Sequence, residues 1–328
     1  MNIFLTGASG FVGKNLMAFL INQGHDVIGH VRADKDSGIH PGRKFSHMNL
    51  LNHHEMLNVL SVIDTVIHCA AHVSTWSTPE IFYQNNVSVT KSLLESAKQA
   101  GVKRFIFLSC ASVVMQQKQA LLNITESIPL TNQDELPYAT SKALAEALVL
   151  EAASEHFKTI ALRPAFIWGQ GDVIDRQIGQ AARAGKFGWF NQGNYLYSTC
   201  YIENLYEAVS KAISTDRFGE AYFISDGEAV SFRSFMSERL RISGFPTPSL
   251  SIPIKLAWPL ARFTENGWKY LPLKGLPPIT REIVRLTGLP FTVSIKKAIQ
   301  QLDYLPVYSV HQGLHHLASR MESPQVGL

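Results

Sequence analysis

The start of the chain constrains its fold more than any other segment. A short apolar run, Asn2-Ile3-Phe4-Leu5, leads directly into glycines at positions 7, 10 and 13. An amphipathic stretch follows over 14–23, with Leu16, Phe19 and Leu20 at helical spacing. The pattern reads as strand, tight turn, helix. Such a turn aims backbone N–H groups and a helix N-terminus at one point, where a dinucleotide pyrophosphate sits. Gly7 permits the turn, Gly10 lets the backbone approach phosphate, and Gly13 lets the helix pack closely on the strand. Ser9, Phe11 and Val12 complete the predicted phosphate loop.

The rest of the first half repeats that alternation. Segments 26–31, 65–70, 105–108 and 159–162 read as strands, and 87–100 and 139–156 as helices. Alternation of this kind predicts a parallel sheet with helices on both faces. The expected architecture is α/β: a Rossmann-type doubly wound parallel sheet over 1–168, joined by returning segments near 196–224. A smaller, mostly helical substrate-binding region takes 169–195 and 225–328. Prolines are frequent from 246 to 290, which predicts short helices and loops there.

Charge argues against some partners. The net charge of +4 is scattered, with no dense basic run, so nucleic acid is not expected. Three cysteines, odd in number and far apart, predict a reducing, cytoplasmic setting without a disulfide framework. The first strand begins at residue 2, which leaves no room for a secretory signal. The longest apolar stretch, 252–263, is broken by Pro253, Lys255, Pro259 and Arg262, so no transmembrane segment is expected. A buried or substrate-facing helix is the reading preferred there over contact with a membrane surface.

At the end of the second strand, an acidic residue would hydrogen-bond the adenosine ribose of NAD(H). Val31 occupies that place and Arg32 follows. A guanidinium grips a 2′-phosphate bidentately, which favours NADP(H), although Asp34 lies close by. Tyr138 and Lys142, spaced i and i+4 behind Pro137, share a helix face. An ammonium there favours the phenolate and predicts a lowered tyrosine pKa. Tyr138 then passes a proton to or from a substrate oxygen. The pairs His53-His54 and His315-His316 are adjacent in sequence and do not converge as metal ligands would.

Taken together, these motifs resemble the extended short-chain dehydrogenases/reductases, over nearly the whole length. The resemblance rests on TGASGFVG (6–13), DTVIHCAA (64–71), NNVSVTKSLLESA (85–97), GVKRFIFLSCASV (101–113), YATSK (138–142) and ALRPAFIWGQGD (161–172). PPITREIVRLTG (277–288) and KKAIQQLDYLPVYSVHQGL (296–314) look most like the 3β-hydroxysteroid dehydrogenase-like branch of the NAD-dependent epimerase/dehydratase superfamily. The resemblance implies that Lys142 holds the nicotinamide ribose and that Ala70 and Ala71 pack along the cofactor. It gives Asn86 a structural hydrogen bond and places Arg163 and Pro164 beside the nicotinamide pocket. It also implies a homodimer through the helices carrying 87–100 and 138–142.

One departure stands out. The family places Ser or Thr after the fourth core strand, and lining up SCASV puts Cys110 there. A thiol donates weakly. In an extended backbone Ser112 faces the same side as Cys110, so Ser112 is expected to supply or share the hydrogen bond. The alternative is that Cys110 is a filler and Tyr138 with Lys142 suffices.

For the substrate, Phe166 and Tyr197 stand where nucleotide-sugar epimerases carry Asn and Arg contacts to diphosphate. With Trp76, Phe187, Trp189, Phe190 and Tyr195, they favour a hydrophobic small-molecule substrate. The expectation is a reversible secondary alcohol/ketone oxidoreductase. A nucleotide-sugar epimerase/dehydratase and a non-catalytic NADP-binding sensor or scaffold are the alternatives.

Overall fold

In the first strand, β1 (Asn2–Thr6), every residue after Asn2 is buried. Successive side chains alternate faces, so such a strand must be covered on both sides. Ile3 and Leu5 join one core with Leu16, Met17 and Leu20 of α1 (Phe11–Asn22). Phe4 joins the opposite core. The computed structural model of the chain describes residues 1–32, 44–116, 119–271 and 273–322; Asp34 lies outside them.

The first half continues through β2 (Asp26–His30), β3 (Lys44–Ser46), α2 (His53–Leu60), β4 (Thr65–His68) and α3 (Pro79–Phe82). A π-turn at Tyr83–Ser88 leads into α4 (Val89–Gln99), then β5 (Arg104–Leu108), β6 (Leu121–Ile124), α5 (Pro137–Glu151) and β7 (Lys158–Pro164). The second half contains β8 (Phe166–Trp168), α6 (Gly179–Arg183), β9 (Trp189–Phe190), β10 (Leu196–Tyr201), α7 (Ile202–Ser214), β11 (Glu220–Ile224) and β12 (Ala229–Ser231). It ends with α8 (Phe232–Ile242), β13 (Ser251–Ile252), α9 (Ile254–Tyr270), α10 (Arg281–Thr287), β14 (Phe291–Val293), α11 (Lys296–Leu302) and α12 (Val310–Glu322).

Among the described residues, a parallel sheet runs β11-β7-β5-β4-β1-β2-β3. The fold is the Rossmann-like α/β arrangement that the repeating strand–helix pattern implies. Helices α2, α4 and α5 bury Met56, Leu60, Leu93, Ala97 and Val149 on one face. The other face carries α1 and α7, with Leu205 and Val209 inward. The chain moves outward from β1 to β3, then restarts at β4 on the other side of β1. The crevice beyond the C-terminal ends of β1 and β4 is therefore the topological switch point, where such sheets bind ligands.

Strand β11 does return to this sheet, beside β7. Strand β10 does not, although it lies in the stretch expected to return. It pairs with β8, β12 and β14 in a second, smaller sheet that also recruits β6. The second half thus carries a mixed sheet beside its helices. The proline-rich segment also differs from expectation, because α9 runs through Pro259 as one long helix. Among the described residues, no helix is long and apolar enough to cross a membrane.

One buried polar hub ties the end of the larger sheet to the smaller one, and a second ties α5 to β7. Asp226, just after β11, accepts from Trp168 Nε1 (3.0 Å), Thr199 Oγ1 (2.7 Å), the Tyr201 amide (2.6 Å) and Asn204 Nδ2 (2.7 Å). Burial pushes its carboxyl up, and these donors oppose the shift. Elsewhere, Glu146 of α5 pairs with Arg163 of β7 through Nε (3.0 Å) and Nη2 (2.5 Å), and accepts from Ser109 Oγ at 2.5 Å. Both ion-pair partners are almost fully buried. Removing one strands the other's charge, so Glu146→Ala should lower unfolding stability by about 3–5 kcal/mol in urea titrations. A loss under about 1 kcal/mol, the surface-pair range, would contradict this account.

Candidate active site

The turn after β1 is built on backbone contact. Gly7 takes a positive φ of 72° and lies against Ala70. A Cβ on Gly13 would enter the Gly7 carbonyl oxygen, so only glycine lets α1 start this close to β1. Gly10 N–H donates to Gly7 O at 2.9 Å, and Gly10 occupies the N-cap position of α1 with no side-chain cap. Ser9 and Gly10 are exposed, and Phe11 and Val12 are half-buried. The uncapped first-turn N–H groups face outward at the switch point, as a bound pyrophosphate requires.

On the neighbouring strand, a chain of hydrogen bonds fixes Ala70. Its N–H donates to Thr6 Oγ1 (3.1 Å). Thr90 gives its proton to the Asn86 carbonyl (2.6 Å) and accepts from His68 Nε2 (2.9 Å). His68 Nδ1 then accepts from Thr6 (2.6 Å), a tautomer assigned from these partners. Burial holds His68 down to about 3, so the ring is neutral. Ala70 and Ala71 are half-buried beside this chain. Asn86, inside the π-turn, accepts from His72 N–H (2.7 Å) and donates to Ser141 Oγ (2.9 Å), tying α5 to the loop after β4. Val31 is buried at the end of β2 and Arg32 is exposed beyond it. Arg32 lies close enough to His72 to help lower the imidazole pKa, after burial.

Tyr138 and Lys142 lie on the first turns of α5. Lys142 is buried, donates to Leu108 O at 2.7 Å and sits 3.9 Å over the Phe107 ring. Burial lowers the ammonium to about 8, against the opposing pull of Cys110, Glu146 and Cys69. Tyr138 shares a hydrogen bond with the Cys110 thiol. Its pKa is not lowered as the i, i+4 spacing predicts. Burial and Cys110 raise it well above the ordinary value. Burial likewise raises Cys110, so the thiol is neutral.

Cys110 Sγ and Ser112 Oγ are 2.9 Å apart. The backbone responsible is not extended. A 3-10 turn at Ala111–Val114 brings Ser112 back toward Cys110. The thiol of Cys110 therefore neighbours both the Tyr138 hydroxyl and the Ser112 hydroxyl. Pro164 is buried at the end of β7, and Arg163 is spent on Glu146.

The aromatics of the second half are mainly core. Trp189 is buried with its indole N–H on Pro248 O (2.8 Å). Tyr195 stacks on Phe232 and donates to Thr287 O, and Tyr197 donates to Leu286 O (2.5 Å). Those last two bonds anchor the C-terminal end of α10. Its other end carries Glu282, which sequence reading passed over. Glu282 is buried, accepts from the Tyr138 and Ala139 amides, and leaves Oε2 without a partner. A signal for it existed: Leu136 occupies the N-cap position of α5 and offers no side-chain cap, so a distant acceptor must serve that end. Arg285, on the same helix, is also buried. Its Nε donates to Gln116 O while Nη1 and Nη2 are unpartnered.

A glycine cradle at the switch point beside a Tyr/Lys pair on α5 defines an enzyme of the extended short-chain dehydrogenase/reductase class. Residues 3–225 match the model of the NAD dependent epimerase/dehydratase family, and the chain belongs to that family. A ketoreductase of Stigmatella aurantiaca, named for 4-hydroxy-2-methyl-3-oxo-4-farnesyl-3,4-dihydroquinoline-1-oxide, is 33% identical over 97% of this chain and 96% of its own. A decarboxylating sterol-4-alpha-carboxylate 3-dehydrogenase of Dictyostelium discoideum is 30% identical over 96% of this chain and 99% of its own. Among solved structures, UDP-glucose 4-epimerase of Thermotoga maritima with UDP-glucose has a TM-score of 0.76 at 21% identity, covering 97% and 98% of the two chains. That likeness shows the fold.

Burial raises Glu282 from 4.5 to about 8. Between those values the folded chain holds a proton that the unfolded chain has released, so stability falls as pH rises through this window. Wild-type stability should decline by about 1.4 kcal/mol per pH unit relative to Glu282→Gln, whose amide oxygen still caps α5. Parallel stability curves for the two proteins from pH 5 to 8 would refute the assignment.

Proposed function

We propose that the chain interconverts a secondary alcohol and a ketone on a hydrophobic substrate, with Tyr138 as the proton donor and acceptor. One observation carries this reading: Tyr138, on the helix that also carries Lys142, neighbours the Cys110 thiol, which lies 2.9 Å from Ser112 Oγ. A nicotinamide dinucleotide held by the Gly7–Gly13 cradle would supply or accept the hydride. In the reducing direction the raised Tyr138 keeps its proton until a carbonyl oxygen becomes alkoxide-like and takes it. Lys142, 3% exposed and charged below about 8, stabilises the phenolate that remains. Ser112, through Cys110 or directly, steadies the substrate oxygen. The full-length likeness to reductases named for a farnesylated quinoline oxide and for 2-alkyl-3-oxoalkanoates supports an apolar skeleton.

Following NADPH absorbance over a panel of apolar ketones tests the reading. Tyr138→Phe should lower kcat by about 10²–10⁴-fold. Ser112→Ala should lower it by about 2- to 10-fold, the worth of one neutral hydrogen bond. Full turnover by Ser112→Ala would remove that residue from the scheme. A nucleotide-sugar epimerase remains the second reading, favoured by one observation: the two unpartnered guanidinium nitrogens of Arg285 would suit an anionic substrate group. Turnover of a UDP-sugar, abolished in Arg285→Ala, with every apolar ketone inert, would replace the first reading by the second. Cofactor binding without turnover of either class would leave a sensor.

The same reading includes a preference for NADP(H), supported by exposed Arg32 after buried Val31. Charge-assisted hydrogen bonds to a 2′-phosphate are worth about 1.5–3 kcal/mol. Arg32→Ala should therefore reduce kcat/KM for NADPH relative to NADH by about 10- to 100-fold. An unchanged ratio would assign the wild-type site to NAD(H).

A further inference from the structure

Helix α9 is amphipathic in an unusual direction. Ala257, Ala261 and Glu265 are buried along its inner face. Ala257 and Ala261 pack with Ile279 and Val284 beside α10. The outer face is apolar as well. Leu256, Leu260, Phe263 and Tyr270 follow one another at i, i+4, i+7 and i+14, which places them on one stripe. Phe263 is 77% exposed and Tyr270 73%. Leu271, Leu273 and Leu276 extend the stripe beyond the helix and are also exposed. Scattered exposed apolar residues are ordinary, but a continuous stripe marks an interaction surface.

The charges around the stripe have one sign. Lys255, Arg262 and Lys269 recur at seven-residue spacing and form a ridge along one flank, with Lys274 beyond the helix end. All four are exposed. From residue 246 to 280 the sole acid is Glu265, which is buried and bonded to Arg281 at 2.6 Å. No exposed carboxylate of this segment offsets the ridge.

We propose that the outer face of α9 is a docking surface for an anionic lipid bilayer, with the helix lying in the interface plane. The apolar stripe enters the headgroup–acyl boundary, and the lysines and arginine meet lipid phosphates. A second copy of this chain fits less well, because an antiparallel two-fold contact between like faces would set the two basic ridges side by side. A soluble polyanion would use the ridge and leave Phe263 and the leucines in water. This surface goes beyond the proposed reaction and stands without it. It would set the substrate-binding half against the phase in which an apolar ketone dissolves, with α9 bonded to α10 through Glu265–Arg281 and α10 bonded to the start of the Tyr138 helix through Glu282.

Flotation of the full chain with phosphatidylcholine vesicles, with and without phosphatidylglycerol, tests the proposal without substrate or cofactor. Binding to the phosphatidylglycerol vesicles is expected, with at least a tenfold loss on raising salt and on Phe263→Glu. Binding of Val62→Glu, a change on an exposed residue elsewhere, should match wild type. Circular dichroism melting of Phe263→Glu establishes that the variant is folded. No flotation with anionic vesicles, or flotation unaffected by Phe263→Glu, would overturn the proposal. So would sedimentation showing a dimer that Phe263→Glu dissociates while no vesicle binding occurs. A chain that floats yet reduces no ketone would leave this surface intact and refute only the reaction.

Discussion

A Cβ on Gly13 would fall 2.2 Å from the Gly7 carbonyl oxygen, and much of the geometry at the end of β1 follows from that close approach. Because no Cβ intervenes, the first turn of α1 sits directly on the end of β1. That contact aims the uncapped N–H groups at the switch point. The same turn presses Gly7 against Ala70, so the ends of β1 and β4 are held at one separation. The hydrogen-bond chain through Thr6, His68 and Thr90 then locks β4 to α4. A side chain at either glycine would be felt along that whole chain, which has no slack because its members are buried.

The Tyr138–Lys142 end of α5 depends on a different physical balance, between burial and compensation of charge. Lys142 is buried under the sheet ends and would lose its proton more readily still without Glu146 one turn along α5. Glu146 is itself buried, and Arg163 with Ser109 satisfies it. Arg163 is thus committed to Glu146 and has a supporting part.

Sequence made the nucleotide half legible because its signals are local. A glycine at fixed spacing after an apolar run and a helix-period Tyr/Lys pair each depend on a few neighbours. The second half was less legible because its decisive contacts are not local. Strand β14 is short and finds its place through β10 and β6, far away in sequence. The run through Pro259 reads as a break, yet Pro259 lies on the exposed face while Ala257, Ala261 and Glu265 secure the other side. Tertiary packing there outweighs local propensity. Ser112 reaches Cys110 through a 3-10 turn, where alternation in an extended strand gave the right neighbour for the wrong reason.

Helix α10 links distant parts of the chain. Its C-terminal carbonyls are taken by Tyr195 and Tyr197, residues that in sequence look like pocket walls. Its N-terminal Glu282 takes the free amides at the start of α5. A helix that begins at Pro137 behind Leu136 has no cap of its own, so the geometry of Tyr138 is completed by a residue more than a hundred positions away. The cost is a buried carboxyl with one unpartnered oxygen. Such a group is tolerated when it is protonated, and a protonated carboxyl still accepts from two amides. Helix α10 thereby holds the start of α5 through a bond that carries little charge near neutral pH. Displacing α10 would also uncap α5 at Tyr138, so the two helices are coupled there.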